Sequence, residues 1–151
     1  MNTLSIPHIE NFIKNKIIKR ESSLFEQDLL QYKEQLYQAI EGKKVLVIGG
    51  AGTIGKSFIK AILAFKPNAL HVVDTNENGL TELTRELRST DKQFVPKEYK
   101  TYPMSLGSNT FKKLFQHNKG YNIVANFAAH KHVRSEKDPF AIEAMIENNV
   151  F

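Results

Sequence analysis

The apolar residues of this chain change their period near Gly42. Before it they recur three or four apart. Ile9, Phe12, Ile13 and Ile17 form one stretch and Leu24, Leu29, Leu30, Leu36 and Ile40 a second, a spacing that predicts two amphipathic helices. Ser23 and Glu26 have the form of a capping box at the start of the second, hydroxyl and carboxylate each satisfying a backbone N–H. The apolar faces of these helices call for a partner surface, either the domain that follows or a second subunit, and self-association into a homo-oligomer is expected. Docking of the basic first helix on a membrane surface is the minor alternative.

Beyond Gly42, short apolar runs alternate with helical periodicity. Val45 to Ile48 predicts a strand running into glycines. Thr53 to Phe65 predicts a helix with Ile54, Phe58, Ile62 and Phe65 inward, stopped by Pro67 and Asn68. Leu70 to Val73 is a second strand closed by Asp74, and Leu80, Leu83 and Leu87 mark a second helix. Tyr99 to Met104 is a weaker strand, since Pro103 removes a ladder donor. Phe111, Leu114 and Phe115 lie on a helix, Tyr121 to Phe127 form a fourth strand, and Asp138 caps a last helix with Pro139 at its first position. Such alternation with short connections predicts an α/β fold: a Rossmann-type, doubly wound parallel sheet of strand order 3-2-1-4, joined by right-handed crossovers. The expected organisation is a helical extension over 1–42 and a dinucleotide-binding domain over 43–151.

Composition narrows the function. With 151 residues, 41% hydrophobic and 25% charged, the chain has the make-up of a folded globular protein. The absence of cysteine excludes disulfides, thiolate metal sites and cysteine nucleophiles and fits a reducing cytoplasm, the expected location. No run approaches the roughly 20 apolar residues of a transmembrane helix. The net charge of +5 is spread thinly apart from Lys14, Lys16, Lys19 and Arg20, so nucleic acid is not an expected partner. His71, His117, His130 and His132 lack an acidic third ligand nearby, and no metal is expected.

The chemistry concentrates in Gly49-Gly50-Ala51-Gly52-Thr53-Ile54-Gly55-Lys56-Ser57, between the first strand and its helix. As a dinucleotide turn, its bare backbone would bring a pyrophosphate onto the N–H groups at the helix start, with Gly55 letting helix and strand pack closely. The same residues satisfy a Walker A loop from Gly50 to Ser57, with Lys56 on terminal phosphates and Ser57 on magnesium. Spacing within the loop does not choose. Asp74, nineteen residues beyond Gly55 at the tip of the second strand, favours the dinucleotide, because its carboxylate can accept from both hydroxyls of an adenosine ribose. Thr75 and Asn76 follow it and carry no cation for a 2′-phosphate, so NAD is favoured over NADP, which would need a Lys or Arg from elsewhere.

The fourth strand and its exit read Asn126-Phe127-Ala128-Ala129-His130-Lys131-His132-Val133, followed by Asp138-Pro139-Phe140 and Asn149-Val150. With the glycine turn, this resembles the extended short-chain dehydrogenases/reductases, and more narrowly the polysaccharide-biosynthesis branch that holds UDP-N-acetylglucosamine 4,6-dehydratases. Ala128, Ala129, Lys131, His132 and Val133 match its A-A-x-K-H-V element, and Pro139, Ala141, Asn149 and Val150 largely match the helix after it. The resemblance implies that Gly49, Gly52, Thr53, Ile54 and Gly55 touch the pyrophosphate, Asp74 the adenosine ribose, and Ala128 and Ala129 the cofactor. Lys131 would reach the nicotinamide-side ribose or the UDP-sugar substrate. Where the family has an Asp and a small apolar residue near the adenine, this chain has Ser105 and Leu106.

In the resembled enzymes NAD takes hydride from C4 of the hexose, water leaves across C5 and C6, and the hydride returns to C6. Their Tyr or Met four residues before a Lys has no counterpart in these 151 residues. The sequence is therefore expected to be the cofactor-binding front of a longer enzyme, inactive alone, with no catalytic residue of its own. The alternatives are a nucleotide-sugar epimerase of the same superfamily, a P-loop NTPase or kinase, and a noncatalytic NAD-sensing module.

Overall fold

The computed structural model describes residues 9, 11–19, 22, 24–90, 93–129 and 138–150. The chain divides into two units, Met1–Leu36 and Tyr37–Phe151. In the first, Ile13–Ile18 winds as a π-helix that ends at Lys19 in the left-handed region, φ 54°. Helix α1 (Glu26–Gln31) follows, and α2 (Lys33–Ile40) runs across into the second unit. The single second helix expected from the sequence is thus broken at Tyr32, whose backbone leaves the helical region. The N-cap position of α1 is Phe25, which makes no side-chain cap bond. Glu26 is the first residue of α1 rather than its third, and Ser23 lies outside the described residues. Glu26 and Asp28 instead sit in the first turn, where their charges face the positive end of the helix dipole.

In the second unit, β1 (Lys44–Ile48), β2 (Ala69–Asp74), β3 (Glu98–Pro103) and β4 (Ile123–Asn126) form one parallel sheet of order β3-β2-β1-β4, as the alternation predicts. Helices α3 (Thr53–Leu63) and α4 (Glu77–Ser89) connect β1 through β2 to β3; α5 (Asn109–His117) returns to β4, and α6 (Pro139–Val150) comes last. β1 and β2 are buried almost throughout and read as continuous apolar runs, the pattern of strands covered on both faces. On one face Leu46, Ile48 and Val73 pack with Phe111 of α5 and the partly buried Tyr102, Met104, Leu114 and Tyr121. On the other, Val47 and Val72 meet Ile59 of α3 around Gly50.

Two details differ from the sequence expectation. Ile54 is 70% exposed rather than inward, because the buried stripe of α3 is Gly55, Ile59, Ile62 and Leu63; Phe58 and Phe65 are half-buried against Phe127 and Tyr37. The fourth strand is shorter than Tyr121 to Phe127, and asparagines bound it. Asn122 exchanges bonds with the Lys44 backbone below, and Asn126 Oδ1 accepts from Ala128 N at 3.0 Å above, a local turn that ends the ladder.

Candidate functional site

Beyond Ile48 the chain turns through Gly49–Gly52 into α3, and backbone bonds fix the turn from both neighbouring strands. Gly49 N and Gly50 N donate to Val73 O at 2.8 and 3.4 Å, Ala51 N donates to Asp74 Oδ2 at 2.9 Å, and Phe127 N donates to Ile48 O at 2.8 Å. The turn therefore stands at the carboxyl ends of β2, β1 and β4. Between β1 and β4 the winding reverses direction, which is where an open α/β sheet leaves a crevice.

The glycines of this turn have separate reasons. A Cβ on Gly49 (φ 73°) would stand 2.5 Å from Ala128 N, one on Gly50 2.2 Å from Val72 Cγ1, and one on Gly55 2.3 Å from Gly49 O. The protein's own packing demands those three. Gly52 differs, since φ −72° and ψ 165° suit any residue and a Cβ there would meet only Gly49 O at 3.5 Å. Its lack of a side chain leaves open space beside the helix start.

That helix start is also uncapped. Asn76 Oδ1 caps α4 through Gly79 N at 2.9 Å, Ser108 Oγ caps α5 through Phe111 N at 3.1 Å, and Asp138 Oδ2 caps α6 through Ala141 N at 3.2 Å. At α3 no side chain caps Gly52 and no acid lies in the first turn; the first helical bond is Lys56 N to Gly52 O. Among the described residues, the amides of Thr53, Ile54 and Gly55 have no protein acceptor, and they stand at the positive end of the dipole. A helix start of this kind can receive an anion.

Asp74 closes one side of the site. Besides holding Ala51 N, it accepts from Asn76 N through Oδ1 at 2.9 Å, so the carboxylate clasps the glycine turn and starts the cap of α4. Each oxygen retains a lone pair for a further donor. Met104 N donates to Asp74 O at 3.0 Å, bringing Ser105 and Leu106, both exposed, to the same end of the sheet. Ala128 and Ala129 stand exposed beyond β4, with the Ala128 backbone against Gly49. The structure thus gathers Gly49, Gly52, Thr53, Ile54, Gly55, Asp74, Ser105, Leu106, Ala128 and Ala129 along one edge, while Lys131, His130, His132 and Val133 lie outside the described residues.

The two residues that a Walker A loop would use make other contacts here. Lys56 Nζ is 3.7 Å from Glu82 on α4, and Ser57 Oγ donates to Thr53 O within its own helix. Three further residues that shape the site were not singled out as such from the sequence: Asn76 as cap, Asn126 as the turn that ends β4, and Gly79, where a Cβ would come 2.9 Å from Ala51 Cβ. The signal for Asn76 was available, as an Asn immediately before a helical run is a typical cap.

A buried polar chain also runs under the sheet. His71 is fully buried, its Nε2 3.2 Å from Glu98 Oε1 and its Nδ1 2.8 Å from Tyr121 Oη. The ionised carboxylate can only accept, so Nε2 carries the proton and the Tyr121 hydroxyl donates to Nδ1. Burial, partly opposed by Glu98, holds the His71 pKa below its ordinary 6.5. Burial also pushes the Tyr121 hydroxyl up to about 12.

A glycine turn on an uncapped helix start, with an acid at the tip of the next strand, defines a dinucleotide-binding domain of the Rossmann type. A family described as polysaccharide biosynthesis protein matches residues 45–151, and the chain belongs to it. Among curated relatives, the probable polysaccharide biosynthesis protein EpsC of Bacillus subtilis is 28% identical over 136 residues, 88% of this chain and 22% of that protein. Among solved structures, Pen from Bacillus thuringiensis is 27% identical with a TM-score of 0.58, over 74% of this chain and 32% of that one. WbmF of Bordetella bronchiseptica, solved in complex with NADH, is 25% identical with a TM-score of 0.50, over 73% of this chain and 29% of that one. The chain therefore spans less than a third of the length of each of these relatives.

Proposed function

We propose that this chain carries the NAD-binding part of a nucleotide-sugar 4,6-dehydratase that acts on a UDP-N-acetylhexosamine in surface-polysaccharide biosynthesis. The observation that carries the cofactor assignment is the open space at Gly52 at a helix start with three unpartnered amides, with the Asp74 carboxylate bonded to the same turn through Ala51 N. The NADH bound by WbmF supports the same cofactor. When bound, NAD supplies reversible hydride transfer at the sugar.

The chain's own residues supply the grip. The Thr53, Ile54 and Gly55 amides take the diphosphate, and the remaining lone pairs of Asp74 take the ribose hydroxyls. A 2′-phosphate would meet the Asp74 carboxylate, so NAD is preferred to NADP. Ser105 offers a hydroxyl and Leu106 an apolar surface to the adenine. Ala128 and Ala129 leave the far end of the crevice open, and Lys131 supplies a compact cation for the ribose or the substrate diphosphate. The Ala128, Ala129, Lys131, His132, Val133 element favours dehydration over epimerisation through the resemblance it carries.

The test has two parts. Titration with NADH, read by nicotinamide fluorescence, should saturate without magnesium, and MgATP should not compete. The full-length enzyme incubated with UDP-N-acetylglucosamine should give a product lighter by one water in the mass spectrum. An isomer of unchanged mass would instead assign the epimerase activity, and MgATP binding at the turn would overturn the cofactor assignment.

A further inference from the structure

Outside the nucleotide site, the most unusual local structure is the π-helical winding of Ile13–Ile18, preceded by the helical residues Asn11 and Phe12. The apolar residues Phe12, Ile13, Ile17 and Ile18 are all exposed, Ile17 at 65%. In an α-helix residues five apart lie about 140° from each other, which would turn Ile18 away from Ile13. A π-helix, closed by i to i+5 bonds, brings residues four and five apart side by side. The pairs Phe12/Ile17, Ile13/Ile17 and Ile13/Ile18 then make one continuous apolar patch.

The charges border that patch. Lys14 follows the Ile13 stripe and Lys16 precedes the Ile17 stripe, so ammonium groups flank the patch on both sides, and Lys19 ends the segment. Residues 11–20 hold four basic residues and no acid; Glu10 and Glu21 stand beyond the two ends. We infer that this segment is a peripheral membrane contact, laying Phe12, Ile13, Ile17 and Ile18 into the headgroup boundary of an anionic bilayer while Lys14, Lys16 and Lys19 reach its phosphates.

Charge complementarity selects this occupant. Lysines beside an apolar face extend their stems along it and keep their ammonium groups at the interface, the arrangement of a helix lying in the membrane plane. A second copy of the same face would bring lysine rim against lysine rim, with no acid between Asn11 and Arg20 to pair them. A nucleic acid would meet the lysines but would leave the aliphatic patch in water. The contact is attractive only toward negative lipid, because so short a patch gains little from apolar burial alone.

Co-sedimentation of the purified protein with vesicles tests this. Phosphatidylcholine vesicles with about a third phosphatidylglycerol should pellet about ten-fold more protein than pure phosphatidylcholine, and salt near 0.5 M should release it. Lys14→Glu with Lys16→Glu, and separately Phe12→Ser with Ile17→Ser, should each abolish pelleting while NADH affinity, held by the other unit, stays the same. Equal pelleting on neutral and anionic vesicles would overturn the inference. So would variants that bind vesicles as the parent does, an oligomer that dissociates on Phe12→Ser with Ile17→Ser, or RNA binding in place of lipid binding.

Discussion

Gly52→Ala separates the space needed by a ligand from the space needed by the protein. At Gly52 the backbone already has dihedrals that alanine adopts, and the new methyl would meet nothing nearer than Gly49 O at 3.5 Å. Alanine is a poorer helix cap than glycine, but it also restricts the unfolded chain, so the net change in folding free energy should stay within about 1 kcal/mol. Binding should change far more. The methyl would fill part of the open space at the helix start, and a diphosphate pushed off two charge-assisted bonds to the Thr53, Ile54 and Gly55 amides loses about 3 kcal/mol, roughly 100-fold in affinity. Gly55→Ala is the contrasting case. Its Cβ would lie 2.3 Å from the Gly49 carbonyl and 2.7 Å from Gly50 Cα, backbone that cannot swing aside. Overpacking of this kind costs about 1 to 3 kcal/mol, so Gly55→Ala should lower stability together with binding. Urea unfolding and NADH titration on the same preparations give both quantities. A Gly52→Ala protein that is stable and binds NADH within about two-fold of the parent would refute the argument that this space is reserved for the diphosphate.

Other outcomes follow from the same contacts. Asp74→Ala should cost about 1 to 3 kcal/mol of NADH binding and also destabilise the turn, since Ala51 N and Asn76 N lose their acceptor; unchanged affinity by titration would confine Asp74 to the clasp. Tyr121→Phe removes the donor to His71 Nδ1 and should cost about 1 to 3 kcal/mol in urea unfolding, with NADH affinity unaltered. Because burial lowers the His71 pKa, the unfolded chain binds the extra proton first. Stability should hold above about pH 6.5 and fall as the pH drops below it, and His71→Gln should flatten that part of the urea-midpoint profile. The Tyr121 hydroxyl, raised to about 12, works in the opposite direction. Its contribution is intact below about pH 10 and lost as the pH rises toward 12, a loss absent in Tyr121→Phe.

Much of the fold was legible in one dimension. Short apolar runs and period-3.6 patterns placed four strands and the helices between them, and short parallel connections with right-handed crossovers pointed to the sheet order that the structure has. Gly49 to Gly55 and Asp74 were readable because a turn with bare backbone and an acid at a strand tip need particular residue types at particular spacings. What the pattern misjudged was local. Ile54 scores as a core residue by periodicity, yet it sits in the first turn of α3, beside the glycine turn and away from the inward stripe. The helix expected across Leu24 to Ile40 breaks at Tyr32, which no glycine or proline announces.

The sequence alone determined the class of fold and the place of a phosphate-binding turn, since both follow from hydrophobic periodicity and the conformational freedom of glycine; between the two readings of that turn it offered only Asp74. Only the tertiary structure separated Gly52, open to a ligand, from Gly49, Gly50 and Gly55, which are closed by Ala128, Val72 and the turn itself. It alone placed Lys56 beside Glu82, and joined His71 of β2 to Glu98 of β3 and to Tyr121 ahead of β4. Those decisions depend on which atoms meet across long sequence separations, and periodicity carries no information about that.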